Sequence, residues 1–230
     1  MKGTNPSRGP VRDGGHELWV QEVFATLQGE GPFAGEPAVF VRLAGCNLQC
    51  FWCDTEFESS PWRPSLEELL EREASVRSSH SDLVVLTGGE PLRQDVGPFI
   101  QALLDRGQRV QIETNGTLWV DLPDDERLTV VCSPKTTRLD PQLEARIDAY
   151  KYIVAAGDVD PEDGLPMTST QRPDRAQRLA RPRAGVPVWV QPRDDDDAVK
   201  NEANLEAAVF AALQHGHRLG LQLHKLVGLD

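Results

Sequence analysis

Short β-branched and aromatic runs recur along this chain with helix signals between them, and that alternation restricts the fold more than any other feature. Trp19–Phe24, Ala38–Leu43, Leu83–Thr87, Val110–Thr114, Leu128–Cys132, Ala149–Val154 and Val186–Val190 read as strands. Ser65-Leu-Glu-Glu68 is a capping box that opens a helix running to about Val76. Further helices are expected over Val96–Arg106, stopping at Gly107, and over Asn201–His215. Arg218-Leu-Gly-Leu-Gln-Leu-His224 closes the chain in a strand-like pattern. Strands alternating with helices imply an α/β fold with a mostly parallel, helix-covered sheet. The repeats are too few for an eight-stranded barrel, so the expectation is a curled partial barrel of about six strands, with chemistry at their C-terminal ends.

The 230 residues suit a single domain. The expected organisation is a flexible polar leader over 1–16, one domain over 17–230, and a Pro/Arg-rich insertion at about 156–185 with no clear period. A formal net charge of −12 argues against gripping nucleic acid, which needs clustered Lys and Arg. No stretch has the roughly 20 apolar residues that span a bilayer, and Met1–Gly15 lacks the apolar core of a signal peptide. A soluble, cytoplasmic protein is therefore expected. The Asp194–Asp197 run reads as a solvated acidic stretch.

Cys46-Asn-Leu-Gln-Cys50-Phe-Trp-Cys53 follows the second strand. A structural zinc site wants four protein ligands, and the fourth cysteine, Cys132, stands far downstream. Disulfides suit short secreted chains better than this one. Three thiolates at this spacing suit a 4Fe–4S cluster with one iron left open. Cys132 itself reads as a small buried hydrophobe.

Polar groups end four other strands: Thr87-Gly-Gly-Glu90-Pro91, Glu113-Thr-Asn-Gly116-Thr117, Cys132-Ser133-Pro134-Lys135 and Gln191-Pro192-Arg193-Asp194. The paired glycines permit close backbone approach to a ligand. Together these ends form a ring suited to one polar, zwitterionic ligand.

The loop resembles that of radical S-adenosylmethionine (SAM) enzymes, C-x3-C-x-φ-C with Trp52 at φ, and the turn at Thr87 resembles their Gly-Gly-Glu motif. Thr26-Leu-Gln-Gly-Glu-Gly31, Pro37–Leu48, Cys53-Asp-Thr55, Ser133-Pro-Lys135 and Leu221-Gln-Leu-His-Lys225 are similar to the 7-carboxy-7-deazaguanine synthase family, from about Val20 onward. The resemblance implies conversion of 6-carboxy-5,6,7,8-tetrahydropterin to 7-carboxy-7-deazaguanine with loss of ammonia, toward queuosine and other 7-deazapurines. SAM, cleaved at the open iron to a hydrogen-abstracting radical, is regenerated. Cys46, Cys50 and Cys53 would hold the 4Fe–4S cluster, and Thr55 a magnesium ion. Trp52, Asp54, Gly89, Glu90, Glu113, Ser133, Pro134, Lys135, Gln191, Pro192, Arg193 and Asp194 would meet SAM, with Glu90 on its ammonium. Leu27, Gln28, Gly29, Arg42, Thr87, His224 and Asp230 would meet the pterin, Arg42 as bidentate partner of its carboxylate. No side chain is assigned as a catalytic acid or base. A flavodoxin- or ferredoxin-like electron donor and a homodimer are also implied. The chain ends in Val227-Gly-Leu-Asp230 where the family commonly ends in proline, which puts the geometry of the terminal carboxylate in question. A glycine-radical activase and a zinc-stabilised interaction module are the competing readings.

Overall fold

A computed structural model describes residues 5–53, 55–171 and 177–229. Its strands run in chain order through one sheet: β1 (Val20–Leu27), β2 (Pro37–Leu43), β3 (Leu83–Gly88), β4 (Arg109–Thr114), β5 (Leu128–Cys132), β6 (Ala149–Val154), β7 (Val188–Pro192) and β8 (Arg218–Leu219). Neighbours from β2 to β8 pair parallel, whereas β1 is antiparallel to β2. The Gln28–Glu36 connection is too short for the crossover of about a dozen residues that parallel strands require. The strand order never reverses, so successive right-handed crossovers carry the helices to one face and leave the other concave. The partial-barrel expectation holds. The strand count is larger than expected, because the antiparallel edge and the two-residue β8 flank six longer parallel strands.

The helices are α1 (Leu66–Val76), α2 (Gly97–Asp105), α3 (Pro141–Glu144), α4 (Ala198–His215) and α5 (Leu223–Val227). The expected capping box opens α1: Ser65 Oγ accepts from Glu68 N, and the Glu68 carboxylate accepts from Ser65 N at 2.8 Å. The short α3 was not anticipated. Asp140 caps it by accepting from Gln142 N and Leu143 N, and Pro141 sits at its first position.

Side-chain alternation sorts each strand into two faces. Val39, Val41, Leu43, Val84, Leu86, Val110, Ile112, Val130, Tyr150 and Tyr152 join the main core with Phe99 and Leu103 of α2. The opposite parity starts apolar, with Ala38, Leu83 and Val85 in one patch and Val131, Ala149 and Trp189 in another. Toward the C-terminal ends the same parity carries Arg42, Thr87, Glu113, Ser133, Lys151 and Gln191.

Two segments differ from their reading in the sequence. The alternating leucines of Arg218–His224 look like a strand, yet pairing stops at Leu219 and the chain turns into α5, where Leu223 N donates to Gly29 O at 3.1 Å. His224 is therefore helical. The acidic run is partnered rather than simply solvated: Asp195 takes Arg193 bidentately, Asp194 takes Lys225, and Asp197 caps α4. From Asn5 onward the polar leader lies along the cysteine loop, where Ser7 Oγ donates to Asn47 O at 2.8 Å and Arg8 N to Cys46 O at 2.7 Å.

Candidate active site

The cysteine loop grows out of the end of β2, and the Gly-Gly-Glu turn at the end of β3 is pressed against its root. A Cβ on Gly89 would stand 2.2 Å from Gly45 O, and one on Gly88, at φ +135°, 2.0 Å from Leu43 O. Glycine is thus required here by the approach of turn to loop. Glu90 N donates to Gly45 O at 3.0 Å and closes that contact.

The carboxylate of Glu90 is fully buried. It accepts from Leu92 N at 3.0 Å, Thr114 Oγ1 at 2.7 Å and Asn115 N at 2.7 Å. Burial pushes its pKa up to about 7, against those hydrogen bonds. It lies behind the cavity wall rather than on it, whereas Gly89 lines the cavity. Asn115 Nδ2 donates to Asn47 Oδ1 at 2.9 Å and Asn47 Nδ2 to Thr117 Oγ1 at 2.8 Å, so the β4 end also grips the loop.

Cys46, Cys50 and Cys53 are free thiols lining one cavity of about 610 Å³. Among the described residues, no three His, Cys, Asp or Glu side chains meet as ligands of a single ion. A four-iron cluster makes no such demand, because each thiolate binds a different iron. The donor set fits that cluster. Burial pushes the Cys46 thiol up to about 12, although Leu48 N donates to its Sγ at 3.4 Å. Ligation by iron would remove that proton.

The inward parity of the sheet supplies the other walls. Thr87, Glu113, Ser133 and Gln191 line the same cavity, followed by Pro192, Arg193 and Asp194 beyond β7. Arg193 is held by Asp195 at 2.9 and 3.0 Å. Asp194 accepts from Lys225 at 2.7 Å, which with its neighbouring donors holds its carboxyl below the usual range. Gln191 Oε1 is buried without a hydrogen-bond partner, and an incoming donor would relieve it. Trp52 lines this cavity and an adjoining one of about 310 Å³ that also takes in Pro134. Lys135 Nζ stands 5.5 Å from the Trp52 ring centre and donates to Ser133 O at 3.1 Å. Burial pulls the Lys135 pKa down, so an anionic ligand group beside it would be welcome. These features fit an amino-acid-bearing nucleoside such as SAM.

On the other flank, Leu27, Gln28, Arg42, Thr55 and His224 line the same cavity. Arg42 Nε is bound to Glu22 Oε1 at 2.6 Å. That pairing supplies the counter-charge expected of a ligand, yet it engages only one edge of the guanidinium. Gly29 sits beneath His224: a Cβ there would be 2.1 Å from the imidazole Nδ1. Thr55 O accepts from Asn5 Nδ2 at 2.8 Å. Asp54 and Asp230 lie outside the described residues.

The sequence reading missed a charged network at the centre of the concave face. Lys151 donates to Glu30 and, at 3.1 Å, to Glu113. Gln191 and Gln222 donate to Glu30 at 3.0 and 2.9 Å, and Gln28 and Gln111 to Glu113, each at 3.0 Å. Burial would raise Glu30, but Lys151 and the amides hold it well below the ordinary carboxyl range. Burial would lower Lys151, but Glu113 and Glu30 hold it protonated. The available signal was a lysine in the interior of Ala149-Tyr-Lys-Tyr-Ile-Val154, at the inward parity.

A partial barrel with three thiols on a loop after β2, facing a ring of polar strand ends, defines a radical SAM enzyme. The Radical SAM superfamily model matches residues 41–157. A 7-carboxy-7-deazaguanine synthase from Rhodospirillum rubrum is 61% identical over 99% of each chain. One from Rickettsia prowazekii is 40% identical over 100% of this chain and 96% of its own. The crystal structure of QueE from Escherichia coli superposes with a TM-score of 0.65 at 27% identity, covering 91% of this chain and 96% of that one. The chain belongs to the 7-carboxy-7-deazaguanine synthase family, and that membership implies a 4Fe–4S cluster and SAM.

Proposed function

We propose that this enzyme converts 6-carboxy-5,6,7,8-tetrahydropterin to 7-carboxy-7-deazaguanine and ammonia, using SAM catalytically. Substrate equals products atom for atom, so the ring contraction needs no net oxidant or reductant. The observation that carries the reading is one cavity of about 610 Å³ walled both by three free thiols and by Arg42. When bound and reduced, the cluster with SAM supplies a radical that abstracts hydrogen. The protein binds, orients and excludes water.

Arg42, steadied at Nε by Glu22, offers its remaining edge to the substrate carboxylate. Gln28, Gly29 and Thr87 flank the pterin, with His224 packed on Gly29. Glu113 is oriented by Gln28, Gln111 and Lys151, so a ligand hydroxyl or ring N–H meets an acceptor already fixed in place. Gln191, Ser133 and Lys135 meet SAM together with Trp52. Thr55 contributes to a magnesium ion shared with the substrate carboxylate. The enzyme works as a cytoplasmic homodimer fed by a flavodoxin or ferredoxin, in the route to queuosine.

The test is anaerobic: reduced, cluster-loaded enzyme is incubated with SAM and the carboxytetrahydropterin. Product with the deazaguanine mass and one ammonia per turnover is expected, without stoichiometric loss of SAM. Failure to form it, by enzyme that still cleaves SAM, would refute the assignment.

A further inference from the structure

Ser169, Thr170 and Gln171 have no role in the reading above, yet they reach the cysteine loop at Cys50. Gln171 Nε2 lies 3.2 Å from Cys50 Sγ and 2.9 Å from Thr170 Oγ1, and Thr170 Oγ1 lies 3.1 Å from the same sulfur. The amide is oriented by the loop itself, because Gln49 N donates to Gln171 Oε1 at 3.1 Å. With the oxygen fixed in that way, the two N–H groups point at Cys50 and Thr170. The loop is tied to the segment again through Phe51 N to Thr170 O at 3.4 Å. Ser169 anchors the other side by donating to Lys135 O at 3.0 Å, and Ser169 and Thr170 are both buried.

We propose that Gln171 and Thr170 are positioning residues that donate hydrogen bonds to the Cys50 sulfur and make the iron–sulfur cluster easier to reduce. This inference rests on the three-cysteine cluster site described above. A thiol at Cys50 can donate to Thr170 Oγ1, leaving the hydroxyl proton for Lys135 O at 3.3 Å. An iron-bound thiolate has no proton to give. The hydroxyl then turns to the sulfur, and its lone pair still accepts from Gln171. Two donors on one thiolate withdraw electron density from it and favour the reduced, more negative cluster. Among the described residues the bond to Cys46 is longer, from Leu48 N at 3.4 Å, so of these two sulfurs Cys50 has the closer donors.

The test is an anaerobic redox titration of the holoenzyme with dithionite, followed by the electron-paramagnetic signal of the reduced cluster, with iron and sulfide assayed in parallel. Gln171→Leu and Thr170→Val are each expected to lower the ratio of reduced to oxidised cluster about three- to tenfold at fixed potential. Tenfold corresponds to about 59 mV for one electron. Thr170→Ser keeps the hydroxyl and should titrate as the parent does. Should Gln171→Leu fail to retain iron, the comparison of Thr170→Val with Thr170→Ser decides. Parent and both valine and leucine variants titrating together, at equal iron content, would overturn the inference. A parent protein with no reducible four-iron signal would instead overturn the underlying site assignment.

Discussion

Replacing Lys151 by methionine tests the charged network directly. The lysine side chain is 8% exposed, and its partners Glu30 and Glu113 are 13% and 18% exposed. Methionine fills much of the same volume, so the change removes a charge rather than opening a cavity. Two carboxylates would then share a wet but largely buried site with no counter-ion. Removing one partner of a buried ion pair costs about 3–5 kcal/mol. Because this network borders the cavity, we expect the lower end, about 3 kcal/mol, or a fall in Tm of about 6–12 °C for a chain of this size.

The pH dependence follows from the directions of the shifts. In the parent, Glu30 is held below its unfolded value, so its stabilising contribution is present at neutral pH and is lost only as pH falls through that depressed value. Lys151 is held above its unfolded value, and its contribution is lost only at strongly alkaline pH. In the variant, burial and the neighbouring carboxylate push Glu30 up once Lys151 is gone, so it takes a proton as pH falls toward about 5.5 and the deficit shrinks. Urea unfolding of anaerobic protein at equal iron content, at about pH 7.5 and 5.5, measures this. Adding Glu30→Gln to Lys151→Met should recover part of the loss. A deficit below about 1 kcal/mol at the higher pH, or one unchanged at the lower, would refute the reasoning.

Three further outcomes are expected. Arg42→Ala should leave iron content and SAM binding intact while costing about 2–3 kcal/mol of pterin affinity, read as a roughly 30- to 150-fold rise in KM; an unchanged KM would mean the carboxylate sits elsewhere. Gly29→Ala drives a Cβ into His224 and should displace α5, seen as faster proteolysis after Leu221 together with weaker pterin binding. Combining it with His224→Ala should relieve the proteolysis. Ser65→Ala removes the α1 cap and should cost about 1 kcal/mol in urea titration with unchanged kcat, which makes it a control for stability effects distant from the cavity.

The sequence by itself determined the local parts: the strand runs, the Ser65–Glu68 cap, and the cysteine loop whose three thiols lie close together in the chain. Those features depend on neighbours a few residues apart, where propensity and spacing act directly. It also brought the polar strand ends into view, because a parallel sheet carries all such ends to one rim. What only the tertiary structure decided depends on residues far apart in the chain. Lys151 meets Glu30 and Glu113 because the sheet curls, and nothing local in Ala149–Val154 states which carboxylates face it. Glu90 is buried and held by Leu92, Thr114 and Asn115 because the loop root at Gly45 closes over the turn, which nothing local in the motif states. Leu219, Leu221 and Leu223 keep a strand's alternation, but docking on Gly29 bends the chain into α5 after two paired residues. Thr170 and Gln171 carry no motif of their own. Their meeting with Cys50 exists only because the fold lays a long, aperiodic segment against the loop, where hydrogen-bond geometry rather than sequence pattern gives them a partner.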